Sequence, residues 1–192
     1  MKIIFATNNG HKVEEIKAAL PEGFEIISLK DADIYVDIPE PHDTLEANAA
    51  EKATVIHKLT GENCFSEDTG LEVAALAGAP GVRSARFAGD GATAQQNIEM
   101  LMGFLKSSKS RMARFRTVIC LRWNGGQYLF EGVCNGRIAE TAQGETGFGY
   151  DPVFIPDGAS KTFAQMHLQE KNTFSHRRKA VDKLVEFLNS TV

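Results

Sequence analysis

The chain has 192 residues, 43% hydrophobic and 24% charged, with a net charge of −4. That length and balance suit one water-soluble globular domain. The acidic surplus argues against a broad nucleic-acid-binding surface, and no apolar run reaches the ~18 residues that a membrane span needs. The opening MKIIFATNNG has too short an apolar core for a signal peptide.

Residues 2–7 predict a strand that stops at Thr7-Asn8-Asn9-Gly10. HKVEEIKAAL (11–20) predicts a helix, with Val13, Ile16, Lys17 and Leu20 on one face and Pro21 as its stop. A second strand over 24–28 completes a β-α-β opening, which implies a parallel pair and an α/β fold. Residues 43–60 predict a longer helix, with Asp43 or Thr44 as N-cap and Gly61 at its far end. NCFSEDTGLEVAAL (63–76) reads as a strand, a turn at Asp68-Thr69-Gly70, and another strand. A helix follows over 93–105. Strands 112–123 and 127–138 then flank Asn124-Gly125-Gly126, a strong hairpin signal. TGFGYDPVF (146–154) is a glycine-rich loop running into a short strand. The last helix starts near Ser175, with Val181, Leu184, Val185 and Leu188 at helical spacing. This order predicts an elongated α/β protein on one mixed sheet, a single domain over residues 1–192. Cys64, Cys120 and Cys134 are odd in number and show no CxxC spacing, so they read as packing residues of a reduced, cytoplasmic protein.

Five stretches carry chemistry. At Thr7–Lys12, free N–H groups and a positive helix end meet small polar residues and a lysine, which suits a phosphate chain; a plain capping turn is the alternative. Lys52 falls near the middle of a stripe formed by Leu45, Ala49, Ile56 and Leu59, with Asn48 at its edge. There it either snorkels to solvent or meets an anion. In SEDTG (66–70), neighbouring strand residues face opposite ways, so only one of Glu67 and Asp68 serves a given site. Asp68 is the better candidate for a Mg²⁺ ligand or general base, with Glu40 or Glu67 as a second ligand; an acidic turn in solvent is the alternative. Phe148, Gly149, Tyr150 and Asp151 mix rings, glycines and acceptors suited to a heterocyclic base; a packed loop with a buried Tyr is the alternative. Finally, His176, Arg177 and Arg178 open a helix at its positive pole, against the usual preference for acids there. A bound anion resolves that conflict, with Lys171 just upstream. The set fits a Mg²⁺-nucleoside triphosphate pocket and leaves hydrolysis, transfer and sensing open.

These motifs resemble the inosine triphosphate pyrophosphatase family. The resemblance rests on Thr7-x-Asn9-x-x-Lys12, TLEANAAEKA (44–53), EDTGLEV (67–73), GAPGVRSARFAG (78–89), GFGYDPVF (147–154) and EKNTFSHR (170–177), six motifs in order over nearly the whole chain. It implies two lobes with a cleft between them, a homodimer, and Mg²⁺-dependent cleavage of ITP, dITP and XTP to the monophosphate and pyrophosphate. It implies that Thr7, Asn8, Asn9, Gly10, His11 and Lys12, with Lys52 and Lys171, hold phosphates. Asp68 becomes base and metal-associated acid, and Glu40 a metal ligand. Thr69, where many relatives carry Ser, donates to substrate. Phe148 to Asp151 enclose the base, with His176 and Arg177 beside it as donors to a 6-oxo group. A Maf-like nucleotide pyrophosphatase is the runner-up; its N-terminal motif usually carries Ser and Arg-Arg in place of Asn-Asn-Gly-His-Lys. A non-catalytic nucleotide sensor is the second alternative.

Overall fold

The computed structural model describes residues 2–191. β1 (Lys2–Phe5), α1 (Gly10–Ala19) and β2 (Glu25–Ser28) form the expected parallel β-α-β unit, with Ile3 opposite Ile26 and Phe5 opposite Ser28. Then come α2 (Leu45–Thr60), β3 (Cys64–Val73), the two-residue β4 (Pro80–Gly81) and α3 (Ala94–Phe104). β5 (Met112–Trp123), β6 (Gly126–Ile138), β7 (Phe154–Pro156), α4 (Leu168–Asn172) and α5 (His176–Ser190) complete the chain. The strands make one mixed sheet in the order β2-β1-β3-β5-β6-β7, with β4 on β3. β1 runs parallel to both β2 and β3, whereas β6 and β7 are antiparallel. The predicted α/β class and mixed sheet are therefore observed.

Three local expectations differ. The turn at Asp68-Thr69-Gly70 is absent, because β3 continues through all three residues. Gly70 serves close approach instead: a Cβ there would stand 2.5 Å from the Gly81 carbonyl oxygen of β4. Leu59, predicted on the buried stripe of α2, is exposed in its last turn. On α1 the buried set is Glu15, Ile16 and Ala19, while Lys17 faces solvent. The hairpin turn is as expected, with Asn124 and Gly125 both at positive φ (48° and 81°), the pairing a type I′ turn demands.

The described chain divides into two compact units. The first holds residues up to Asp68, Thr117–Gly132, and those from Arg177 onward; the second holds Thr69–Arg116 and Val133–His176. In the first, Ile3 and Phe5 pack with Ile16, Phe65, Ile119, Val181, Leu184 and Leu188. Ile4 and Ala6 belong to a separate cluster with Leu29, Ile56 and Cys64. β1 is thus buried on both faces, as the continuous run IIFA requires. The Phe5 and Phe65 rings stack with centroids 4.5 Å apart. The core of the second unit joins Leu71, Val73, Leu101, Phe115, Phe154 and Phe163. The three cysteines are buried and in no disulfide. Burial pushes the Cys64 thiol up to about 12, which suits packing and not nucleophilic work.

Candidate active site

In the first unit, the strand-to-helix turn is built by the residues expected to hold phosphates. Thr7 Oγ1 accepts from the Asn9 N–H at 3.2 Å, and Asn9 Oδ1 accepts from the Lys12 N–H at 3.2 Å. Thr7 shapes the turn and Asn9 caps α1, which stands Lys12 on the first helical turn. Lys12 Nζ lies 2.8 Å from Glu67 Oε1. Asn8, Gly10 and His11 are exposed on the same turn.

β3 then presents two acids in succession, and strand alternation sends them to different partners. Glu67 is fully buried and meets Arg177 as a fork, with Nε 3.0 Å from Oε2 and Nη2 3.1 Å from Oε1. Arg177 Nη1 also donates to Glu15, itself buried on α1. Burial would raise the Glu67 carboxyl, but the charges and hydrogen bonds of Arg177 and Lys12 outweigh it and hold the group well below the carboxylate range. Two cations and two carboxylates make this set neutral. That balance is what a buried ionic cluster requires.

Asp68 belongs to a second cluster. Its Oδ1 faces Lys52 Nζ at 3.5 Å, and its Oδ2 accepts from Asn48 Nδ2 at 3.3 Å. Lys52 also donates to Glu40. Asn48 fastens the segment before α2, accepting from the His42 N–H at 3.0 Å and donating to the His42 carbonyl at 3.2 Å. Burial raises the Asp68 carboxyl despite the opposing pull of Lys52. For Lys52 the balance is reversed: burial disfavours its charge, but Asp68 and Glu40 prevail and raise its pKa. Of the two sequence readings of Lys52, meeting an anion is the one realised.

In the second unit, Asp151 Oδ2 accepts from the Phe148 N–H at 2.9 Å and meets Lys171 Nζ at 2.6 Å. Lys171 is buried, its ammonium 5.4 Å from the centre of the half-buried Phe148 ring. Gly149 has φ of 61°, so the loop bends there without strain. Thr69 is half-buried in the same unit.

Three sequence expectations find a different setting. Arg177, expected beside a base, is 2% exposed and is held by Glu67 and Glu15. The basic pole of α5 is therefore answered by the protein's own carboxylates. His176 is buried and stacks on Phe115, with centroids 4.6 Å apart and 13° between planes. Tyr150, expected as a stacking ring, is buried, and its hydroxyl donates to the Ser84 carbonyl at 2.9 Å. Glu15 and the structural part played by Glu67 went unread. Glu15 is three residues after Lys12 on α1 and so shares its face, which is the available signal.

Fold and site together define a class. It is an α/β protein whose ammonium groups are held against buried carboxylates, a donor and acceptor set suited to a polyphosphate and its counter-cation. The chain belongs to the Ham1 family, whose model matches residues 3–187. It is 48% identical to a dITP/XTP pyrophosphatase of Flavobacterium johnsoniae, with all of both chains covered. It is 50% identical to one of Porphyromonas gingivalis, with 97% of each covered. The solved Ham1 protein of Staphylococcus aureus superposes over 100% of both chains with a TM-score of 0.89 at 35% identity. A HAM1 protein from Coxiella burnetii gives the same score and identity over 99% of each chain. The resemblance read from six motifs is borne out at the level of the family.

Proposed function

We propose that the protein hydrolyses non-standard purine nucleoside triphosphates, dITP, XTP and ITP, to the monophosphate and pyrophosphate. The observation that carries this reading is Asp68, a buried carboxyl with a raised pKa beside a buried lysine. It lies in a chain that matches proteins named dITP/XTP pyrophosphatase from end to end. Asp68 takes a proton from a water that attacks the α-phosphorus. The new P–O bond forms as the bond to the bridging oxygen breaks, and pyrophosphate leaves. Lys12 and Lys52 neutralise charge on the phosphates, while the backbone of 7–12 supplies N–H donors at the start of α1. Arg177 acts at one remove: it fixes Glu67, and Glu67 fixes Lys12.

Glu40 and Asp68 offer hard carboxylate oxygens that fit Mg²⁺, and they already hold a cation in Lys52. When bound, Mg²⁺ supplies further neutralisation of the polyphosphate. In the second unit, the Phe148–Asp151 loop takes the base, with Phe148 as stacking surface; Lys171, which the resemblance puts on phosphates, lies against this loop and is reassigned here as a donor for a 6-oxo group. Adenine, with a 6-amino group, loses that bond at a cost of about 1–3 kcal/mol. The reading extends to a cytoplasmic homodimer acting on free nucleotides. No helix among the described residues is long and apolar enough to cross a membrane.

The test is product analysis with ITP, XTP and ATP, with and without Mg²⁺. Mg²⁺-dependent pyrophosphate from ITP and XTP, with ATP nearly untouched, is the expected result. Orthophosphate, or equal use of ATP, rejects the assigned reaction or base selectivity. Binding without turnover identifies a nucleotide sensor.

A further inference from the structure

Lys52 stands between the two carboxylates proposed above as metal ligands. Its ammonium touches Glu40 and faces Asp68 Oδ1. It does so on a side chain only 9% exposed, rooted on the buried face of α2. The two acids and the lysine carry a net charge of −1, so their charge is already half answered. A small divalent ion needs direct contact with carboxylate oxygens, at about 2.1 Å. An ammonium hydrogen-bonded to those oxygens both blocks that approach and repels the ion. A lysine, unlike a guanidinium fork, is a point charge on a flexible four-carbon stem, and phosphate oxygens can draw it aside.

We propose that Lys52 is a resident counter-cation that competes with divalent metal for the Glu40–Asp68 pair, so that the ion enters with the polyphosphate and not ahead of it. This rests on the metal placement of the previous section but not on the identity of the base or the reaction. It gives Lys52 two successive partners, the carboxylates at rest and phosphate oxygens when substrate is bound.

The test uses Mn²⁺ alone, with no nucleotide, titrated into the full-length protein and followed by the paramagnetic resonance of the unbound ion. Wild-type protein binds Mn²⁺ weakly. Lys52→Met binds it at least about tenfold more tightly, the order expected when one full charge beside an ion is removed. Lys52→Gln behaves alike, which covers a folding failure of the first variant. The charge-keeping Lys52→Arg stays weak. Adding Glu40→Gln to Lys52→Met abolishes the gain. Equal Mn²⁺ affinity in wild type and both neutral variants overturns the proposal. So does a gain that survives Glu40→Gln, or tight Mn²⁺ binding by the wild type. Because no substrate is present, these outcomes are independent of the product assay. Normal pyrophosphate release together with no gain in Mn²⁺ affinity would reject this inference and leave the proposed function standing.

Discussion

Asp68 and Glu67 are neighbours with opposite electrostatic fates, and each yields a prediction. Burial lifts Asp68 above the ordinary aspartate value of 3.8, so kcat/KM falls as pH drops through a value higher than that. Asp68→Asn lowers kcat by about 10²–10⁴, the usual worth of a general base, with an unchanged circular dichroism spectrum. Initial rates of pyrophosphate release against pH check both. Glu67 is the reverse case, its folded pKa held below the ordinary 4.5. Its contribution to stability is complete above 4.5 and is lost as pH falls through the lower folded value. Glu67→Gln leaves Arg177 buried without its forked partner and costs about 3–5 kcal/mol. Denaturant midpoints measured from neutral pH downward show the loss and a shallower acid-side slope in the variant. At this scale the sequence was partly legible. Lys52 betrayed itself as a charge on an apolar stripe, and the alternation rule separated Glu67 from Asp68. The carboxylate partners of Arg177 were not legible, because Glu67 lies 110 positions away. The helix-pole argument recognises an uncompensated charge but cannot tell a distant carboxylate from a ligand.

Elements place these residues more than they alter them. α1 starts where Asn9 caps it, which fixes Lys12; α2 starts where Thr44 caps it, which brings Asn48 and Lys52 round to β3. Both helices were readable from caps and periodicity. The continuity of β3 was not, because Gly70 reads as a turn from its neighbours alone. Its purpose, clearance for β4, depends on contacts that local sequence does not carry. The GAPGVRSARFAG stretch likewise gains a use only in three dimensions. Its Ser84 carbonyl holds the Tyr150 hydroxyl, and Ser84 Oγ accepts from the Leu71 N–H at 2.8 Å. Tyr150→Phe keeps the ring and removes that bond, at a cost of about 1–3 kcal/mol for the stranded carbonyl. If the 147–151 loop receives the base, KM for ITP rises while kcat changes little. Steady-state kinetics beside a thermal melt separate loop placement from stability.

At the scale of the molecule, neither unit is a continuous piece of chain. The first takes in β1 to the middle of β3, the hairpin end of β5 and β6, and α5. Its core needs Val181, Leu184 and Leu188 from α5 beside Ile3, Phe5 and Ile16. A chain ending at Phe174 therefore loses one wall of that core together with Arg177. Near-ultraviolet circular dichroism of this truncation shows the fixed aromatic signal collapsed. Local patterns announced the α/β class and the mixed sheet, but not that α5 returns to the beginning of the chain. Apolar spacing shows that a face is buried without naming what buries it.

The adjacency of Glu67 and Asp68 constrains heredity as well as chemistry. One peptide bond separates the anchor of the Arg177 cluster from the carboxylate paired with Lys52. Sliding β3 by one position would exchange their faces and those of every residue around them. A single-codon insertion or deletion between Cys64 and Ser66 is thus far more damaging than most substitutions there.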